Sequence, residues 1–165
     1  GMVYRQLGDL DRAEQMFQRS LEIKNRLGER EAVSNSYGNL GNVYLARGDL
    51  EKAEEMHRKS LAIAEELGLK EVMANQYGNL GNVYRRKGEL DKAEAMYEAV
   101  LAFAEELKAL GILASSYVNM GGLRQQRSDV RGAREYWEKA VALFRQIGMP
   151  HMVKKVQGWI DDLNE

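Results

Sequence analysis

The sequence predicts an all-α solenoid of antiparallel helix hairpins, and three observations carry that prediction. The string Tyr-Gly-Asn-Leu-Gly-Asn-Val-Tyr occupies 37–44 and returns at 77–84, an offset of 40 residues at which roughly half of 31–70 matches 71–110. Self-similarity at a fixed period of this length marks a repeat array. Within each repeat, apolar and small residues recur at i, i+3, i+4 and i+7, as on one face of a helix, without the alternation of a strand. Breaks such as Arg47-Gly48-Asp49 then divide each repeat into two helical stretches.

Each element follows in order. The 165 residues are expected to form a single repeat domain, 1–165. Gly1, Val3 and Tyr4 fall on Gly41, Val43 and Tyr44, so the chain begins inside a repeat and is expected to be a fragment of a longer array. The partial repeat 1–30 holds half of a helix A and a complete helix B; repeats 31–70, 71–110 and 111–149 hold one of each, and 150–165 adds a terminal helix. Helix A carries its buried stripe at Tyr37, Leu40, Gly41 and Tyr44. Helix B carries Leu50, Ala53, Met56, His57, Ser60, Leu61 and Leu67. Gly8, Gly48 and Gly88 suit the left-handed end of helix A, Gly28, Gly68 and Gly148 that of helix B, and Asp9, Asp49 and Asp129 cap the helices that follow. Gly41 against Ala53, Gly81 against Ala93 and Gly121 against Ala133 set small residues where paired helices touch, and stacked hairpins bury the faces that one hairpin leaves open. Pro150 suits the first turn of the terminal helix. Trp159 would face the groove in the frame of a fifth helix A, but Val153, Val156, Ile160 and Leu163 favour a helix that seals the last hairpin, helped by the polar ending Asp161, Asp162, Asn164 and Glu165.

Composition narrows the functions. With 24 Lys and Arg against 25 Asp and Glu, the charge is -1, far from the basic excess of a nucleic-acid binder. No apolar run approaches a membrane span, and the absence of cysteine removes disulfides from the account. His57 and His151 are too isolated for a metal site or a nucleophilic relay; His57 is expected to pack in the slot filled by Phe17, Tyr97 and Trp137. The Gly38 to Gly41 segment lies inside a helix pattern and is no phosphate loop. Paired acids at Glu54 and Glu55, Glu65 and Glu66, and Glu105 and Glu106 are expected on solvated outer faces. Met16, Met56, Met96 and Met120 fill core gaps. Neither catalysis nor a cofactor or metal is expected, and the chain is taken as cytoplasmic.

The pattern Tyr77, Leu80, Gly81, Tyr84, Ala93, Tyr97 resembles the tetratricopeptide repeat over essentially the whole chain. The 40-residue spacing, His57 in an aromatic slot and Arg124 in place of the second Tyr depart from the usual pattern. The longer helices look more like the extended repeats of LGN-type spindle-orientation adaptors and kinesin light chains. The resemblance implies a right-handed superhelix whose inner groove, lined by the A helices, holds peptides of partner proteins.

The residues point independently to one surface. Opposite the buried stripe of helix A stand Asn35, Asn39, Asn42 and Ala46; Asn75, Asn79, Asn82 and Arg86; and Ser115, Asn119, Gly122 and Gln126. Asn is weaker than Ala as a helix former by several tenths of a kcal/mol, so its recurrence there asks for a reason. A carboxamide bonds both the N–H and the C=O of an extended main chain. The alternative is that these Asn bond neighbouring helices and fix their spacing. Basic residues gather near the A-helix ends at Arg5, Arg47, Arg85, Arg86, Lys87, Arg124 and Arg127. They either receive an acidic partner, Arg85 and Arg86 foremost, or complement the helix dipole. The expected function is a protein-interaction scaffold for an extended, acidic-leaning segment. Its rivals are self-association through open repeat ends and a sensor arm of a larger signalling protein.

Overall fold

The computed structural model describes residues 9–163. Among them lie eight α-helices and no strand: α1 (Leu10–Leu27), α2 (Arg30–Arg47), α3 (Leu50–Leu67), α4 (Lys70–Lys87), α5 (Leu90–Glu106), α6 (Leu110–Gln126), α7 (Val130–Gln146) and α8 (Pro150–Asp162). Helices α2, α4 and α6 are the expected A helices, and α1, α3, α5 and α7 the B helices. The half-helix expected in 1–7, with Arg5, and also Gly8, Asn164 and Glu165, lie outside the described residues.

Local chemistry sets the boundaries. Asp9, Asp49 and Asp129 accept hydrogen bonds from the backbone N–H groups of Arg12, Lys52 and Gly132 at 3.1, 3.3 and 2.9 Å, each satisfying one donor that the first turn leaves open. Gly48, at φ +88°, turns the chain out of α2. Two ends lack glycine: Lys108 at φ +51° and Ser128 at φ +61° hold the left-handed conformation with a Cβ in place, at a cost of about 1 kcal/mol each.

Packing divides the chain into two compact units, Gly1–Lys87 and Gly88–Glu165. In the first, α2 pairs most extensively with α3, α1 lies against α2, and α4 packs on α3 and touches α2. Ala13, Phe17, Leu40, Val43, Tyr44, Ala53 and Val83 form its buried cluster. The small residue of helix A is what admits helix B: a Cβ on Gly41 would stand 2.6 Å from Cε1 of the His57 ring. His57 is fully buried, as its slot requires, with Nδ1 2.9 Å from Oε1 of Gln76. Ser34 Oγ donates to the Ser60 carbonyl oxygen at 2.9 Å in the same interface.

The second unit repeats the scheme with α6 on α7, α5 beside α6 and α8 beside α7. Trp137 takes the place of His57. A Cβ on Gly121 would stand 2.3 Å from its indole, and Trp137 Nε1 donates to the Val118 carbonyl at 3.2 Å. Val156 and Ile160 of α8 join the cluster of Ala133, Trp137, Ala140, Val141 and Phe144. Trp159 packs against Trp137 with ring centroids 5.6 Å apart and planes tilted by 45°, so α8 lies closely against α7.

A recurring polar clamp joins α1 to α2, α3 to α4 and α5 to α6. Glu14 accepts from Tyr44 Oη and Arg47 Nη1, both at 2.6 Å. Forty residues on, Glu54 accepts from Tyr84 Oη at 2.8 Å and Lys87 Nζ at 2.9 Å. In the second unit Glu94 accepts from Arg124 and from Arg127, so Arg124 delivers a charged donor where the other repeats use a phenol. Burial would raise the Glu54 carboxyl, but hydrogen bonds from Lys87, Tyr84 and Arg58 outweigh it and hold the group at about 2. Burial and the Glu14 carboxylate push the Tyr44 phenol up to about 12. Contrary to the sequence expectation for the acids of helix B, Glu54 is largely enclosed and bonded, while Glu55, Glu65, Glu66, Glu105 and Glu106 are exposed as expected.

Three outcomes follow from this packing. Gly121→Ala lowers stability by about 1–3 kcal/mol in urea unfolding, because the indole has nowhere to retreat. Glu54→Gln lowers it by about 1 kcal/mol at pH 7. The folded carboxyl titrates below its ordinary value of 4.5, so that difference is complete above pH about 4.5 and shrinks as pH falls toward about 2. Lys108→Gly and Ser128→Gly each raise stability by several tenths of a kcal/mol or more, since both relieve a left-handed Cβ; thermal scans read the sign directly.

Candidate functional site

The A helices carry the predicted face. On α2, Asn35 is exposed and Asn39 and Asn42 are half-buried; on α4, Asn75 is exposed and Asn79 and Asn82 are half-buried. Both helices belong to the first unit and touch each other, so their asparagine stripes are neighbours. On α6, in the second unit, Ser115 and Gln126 are exposed and Asn119 is half-buried. The 3.6-residue period explains the placement: once Leu40, Gly41 and Tyr44 turn inward, positions 35, 39 and 42 are carried to the other side of the cylinder.

The hydrogen bonds separate these residues from the rest of the polar inventory. The side chains of Asn35, Asn39, Asn42, Asn75, Asn79 and Asn119 make no hydrogen bond among the described residues, whereas other internal polar groups, Ser34, Ser36, Ser116 and Gln76, are bonded. A half-buried carboxamide keeps two donors and two lone pairs and gives up part of its hydration for them. Beside Asn35, a shallow polar depression of about 420 Å³ is lined by Glu29, Arg30, Glu31 and Ala32.

The cations divide differently from the sequence reading. Arg47 is held by Glu14 and Asp11, Lys87 by Glu54, and Arg124 and Arg127 by Glu94. These four meet carboxylates of their own chain. Arg86 is exposed at the end of α4 and donates from Nη1 to the Leu45 carbonyl at the end of α2, which leaves the rest of its fork beside the asparagine face. Arg85, one residue earlier, is half-buried on an adjacent face of the helix. The sequence reading passed over Glu14 and Glu94 and set Glu54 on a solvated face, although their spacing of 40 is the signal that marks the repeat itself.

Among the described residues no group of three His, Cys, Asp or Glu side chains is placed to hold a metal ion, and no helix is long and apolar enough to cross a membrane. Burial lowers the affinity of His57 for a proton, only partly opposed by Gln76, and Gly41 closes over the ring.

Comparison with known proteins agrees with the geometry. The chain is similar to BtubC (BKLC) from P. vanneervenii, with 25% identity, 93% of this chain and 65% of that one covered, and a TM-score of 0.80. It is similar in fold to the nearly identical TPR-like repeats of a putative kinesin light chain from Podospora anserina, at 18% identity over 99% of this chain and 86% of that one, TM-score 0.74. A third likeness is to PH0952 of Pyrococcus horikoshii, a signal transduction ATPase with a tetratricopeptide repeat sensor, at 21% identity, TM-score 0.84, covering 95% of this chain and 24% of that one. The chain therefore spans about two thirds of BtubC and about a quarter of PH0952. No curated protein matches. The tetratricopeptide-repeat model matches residues 1–66 and 71–146, and with helix order and small-residue seats in agreement, the chain belongs to the tetratricopeptide-repeat family.

Proposed function

We propose that the chain is a protein-interaction scaffold whose A helices grip the main chain of an extended peptide segment through their asparagines. The tetratricopeptide-repeat fold is in general a protein-interaction scaffold, and its members are typically without enzymatic activity. The observation that carries the finer reading is the set of half-buried, unbonded carboxamides at Asn39, Asn42 and Asn79, held on rigid helices that touch one another. Rigid placement removes much of the ordering cost that weakens peptide capture. Asn35, Asn75 and Asn82 extend this face, Asn119 and Gln126 supply the corresponding positions on α6, and Arg85 and Arg86 favour an acidic segment.

A second reading is self-association. On α1, Met16, which the sequence reading set in the core, is 47% exposed, and with Ile23 and Leu27, 50% and 65% exposed, it lies along one stripe; an open apolar stripe on a repeat invites a partner. A mass that rises with concentration in sedimentation would favour it.

A single variant, Asn39→Ala, Asn42→Ala and Asn79→Ala together, separates a binding role from a structural one. Titration with a diverse peptide library that includes acidic sequences is expected to show at least tenfold weaker binding, about 1.4 kcal/mol. The variant's melting temperature is expected to rise, because each Ala gains several tenths of a kcal/mol in helix propensity and no internal hydrogen bond is lost. Unchanged binding together with a lowered melting temperature would assign the asparagines to the scaffold.

A further inference from the structure

At the repeat spacing of 40 residues, the B helices carry Phe17, His57, Tyr97 and Trp137 at corresponding positions, and of these rings only the imidazole changes charge between pH 5 and 8. Nineteen residues after each ring stand Ser36, Gln76, Ser116 and Val156. The hydroxyls of Ser36 and Ser116 return to their own helices, donating to the Ala32 and Ile112 carbonyls at 2.9 and 2.8 Å. Gln76 instead reaches out of α4 to the ring, its Oε1 2.9 Å from His57 Nδ1. Imidazole and acceptor are thus exchanged together, against the pattern of the other repeats. An amide oxygen only accepts, so Nδ1 carries the ring's proton and Nε2 keeps its lone pair. Nε2 is buried without a hydrogen-bond partner among the described residues. The side chain has no exposed surface, and α2 closes over it so tightly that a Cβ on Gly41 would stand 2.7 Å from Nε2.

A second proton has only Nε2 to go to, and it would create a buried N–H without an acceptor and a charge without a counter-ion, both strongly unfavourable. The titratable groups flanking this seam are engaged elsewhere. On α2, Tyr44 donates to Glu14, and Tyr37 lies under the Lys59 ammonium. On α3, Glu54 pairs with Arg58 and Lys87, and Glu55 with Lys59. On α4, Tyr77 donates to Glu65 and Tyr84 to Glu54. Burial, opposed only by the Gln76 bond, therefore holds the proton affinity of His57 below its ordinary value of 6.5. The opened chain takes the proton near that value. The stability that the neutral ring contributes is then complete above pH about 6.5 and is lost as pH falls, the opening constant growing up to about tenfold per pH unit. Glu14 and Glu54 are held below 4.5 by their donors, so their contribution weakens only at lower pH. We propose that His57 and Gln76 form an acid-sensitive lock of the first unit: a second proton on the imidazole opens the seam of α2, α3 and α4, while the second unit keeps its fold. Whatever surface α2 and α4 jointly present is withdrawn with it, and the lock stands whether or not the asparagine face binds a peptide.

Amide hydrogen exchange of the full chain at about pH 7.5 and about pH 5, corrected for the intrinsic pH dependence of exchange, measures the opening of each helix. From the higher to the lower pH the opening constants of α3 and α4 are expected to rise at least about tenfold, and that of α7, in the second unit, by less than about threefold. A chain with His57→Phe and Gln76→Ser, which repeats the pair Phe17 and Ser36, is expected to lose the rise in α3 and α4 while keeping the circular dichroism of the parent. Nitrogen-15 spectra of histidine-labelled parent chain supply a readout that needs no variant: folded His57 is expected to stay neutral, with its proton on Nδ1, at about pH 5. An imidazolium at position 57 in the folded chain at that pH overturns the proposal. So does a rise in α3 and α4 no larger than that in α7, or an equal rise in the substituted chain.

Discussion

Everything in these units depends on how closely a helix A and its helix B approach. Glycine on one axis and a ring on the other set that distance: Gly41 under His57, Gly121 under Trp137. The ring is large enough to fill the gap and the glycine small enough to admit it, so each hairpin closes at interior packing density. The inward stripe of helix A is thereby spent on its own hairpin and on the preceding helix. Its opposite side is left to carry side chains that packing does not choose. The asparagine face is the residue of that arrangement, and its rigidity derives from the buried face behind it.

Beyond the hairpin, the polar clamp sets how one repeat meets the next. A carboxylate on helix B receives a phenol or guanidinium and a second cation from the following helix A, first at Glu14, then at Glu54, then at Glu94. Apolar contacts are tolerant of small slips, whereas a carboxylate bonded at two or three fixed donors is not. The clamp thus acts on registration more than on gross stability, a role suited to partly exposed ion pairs. It also occupies most of the basic residues at the helix ends and so limits which cations stay available to a ligand.

Much of this was legible before any coordinates. The 40-residue period, the glycine seats, the aspartate caps and the two-helix repeat follow from spacing alone, because helix periodicity and small-residue contacts leave direct marks in a sequence. The outward placement of Asn35, Asn39 and Asn42 followed for the same reason. What escaped was pairing across helices. Glu54 looks like any acid of a solvated face until Lys87 and Tyr84 are seen to arrive from 30 or more residues away, and Gln76 shows nothing in sequence of its bond to His57. Asp161 was read only as part of a polar ending, although it stands where the A helices carry glycine.

The His57–Gln76 bond has a bearing on how freely such repeats can be rearranged. The two residues sit 19 apart and on either side of the repeat boundary at 70–71. A duplication or exchange that cuts at that boundary would part them. Setting the fourth repeat behind His57 would bring Ser116, whose short hydroxyl already donates to the Ile112 carbonyl, to the place of Gln76. The buried imidazole would then lack its partner, a loss of about 1–3 kcal/mol. Sequence periodicity makes the repeats look interchangeable, but the bond at this junction makes their order matter.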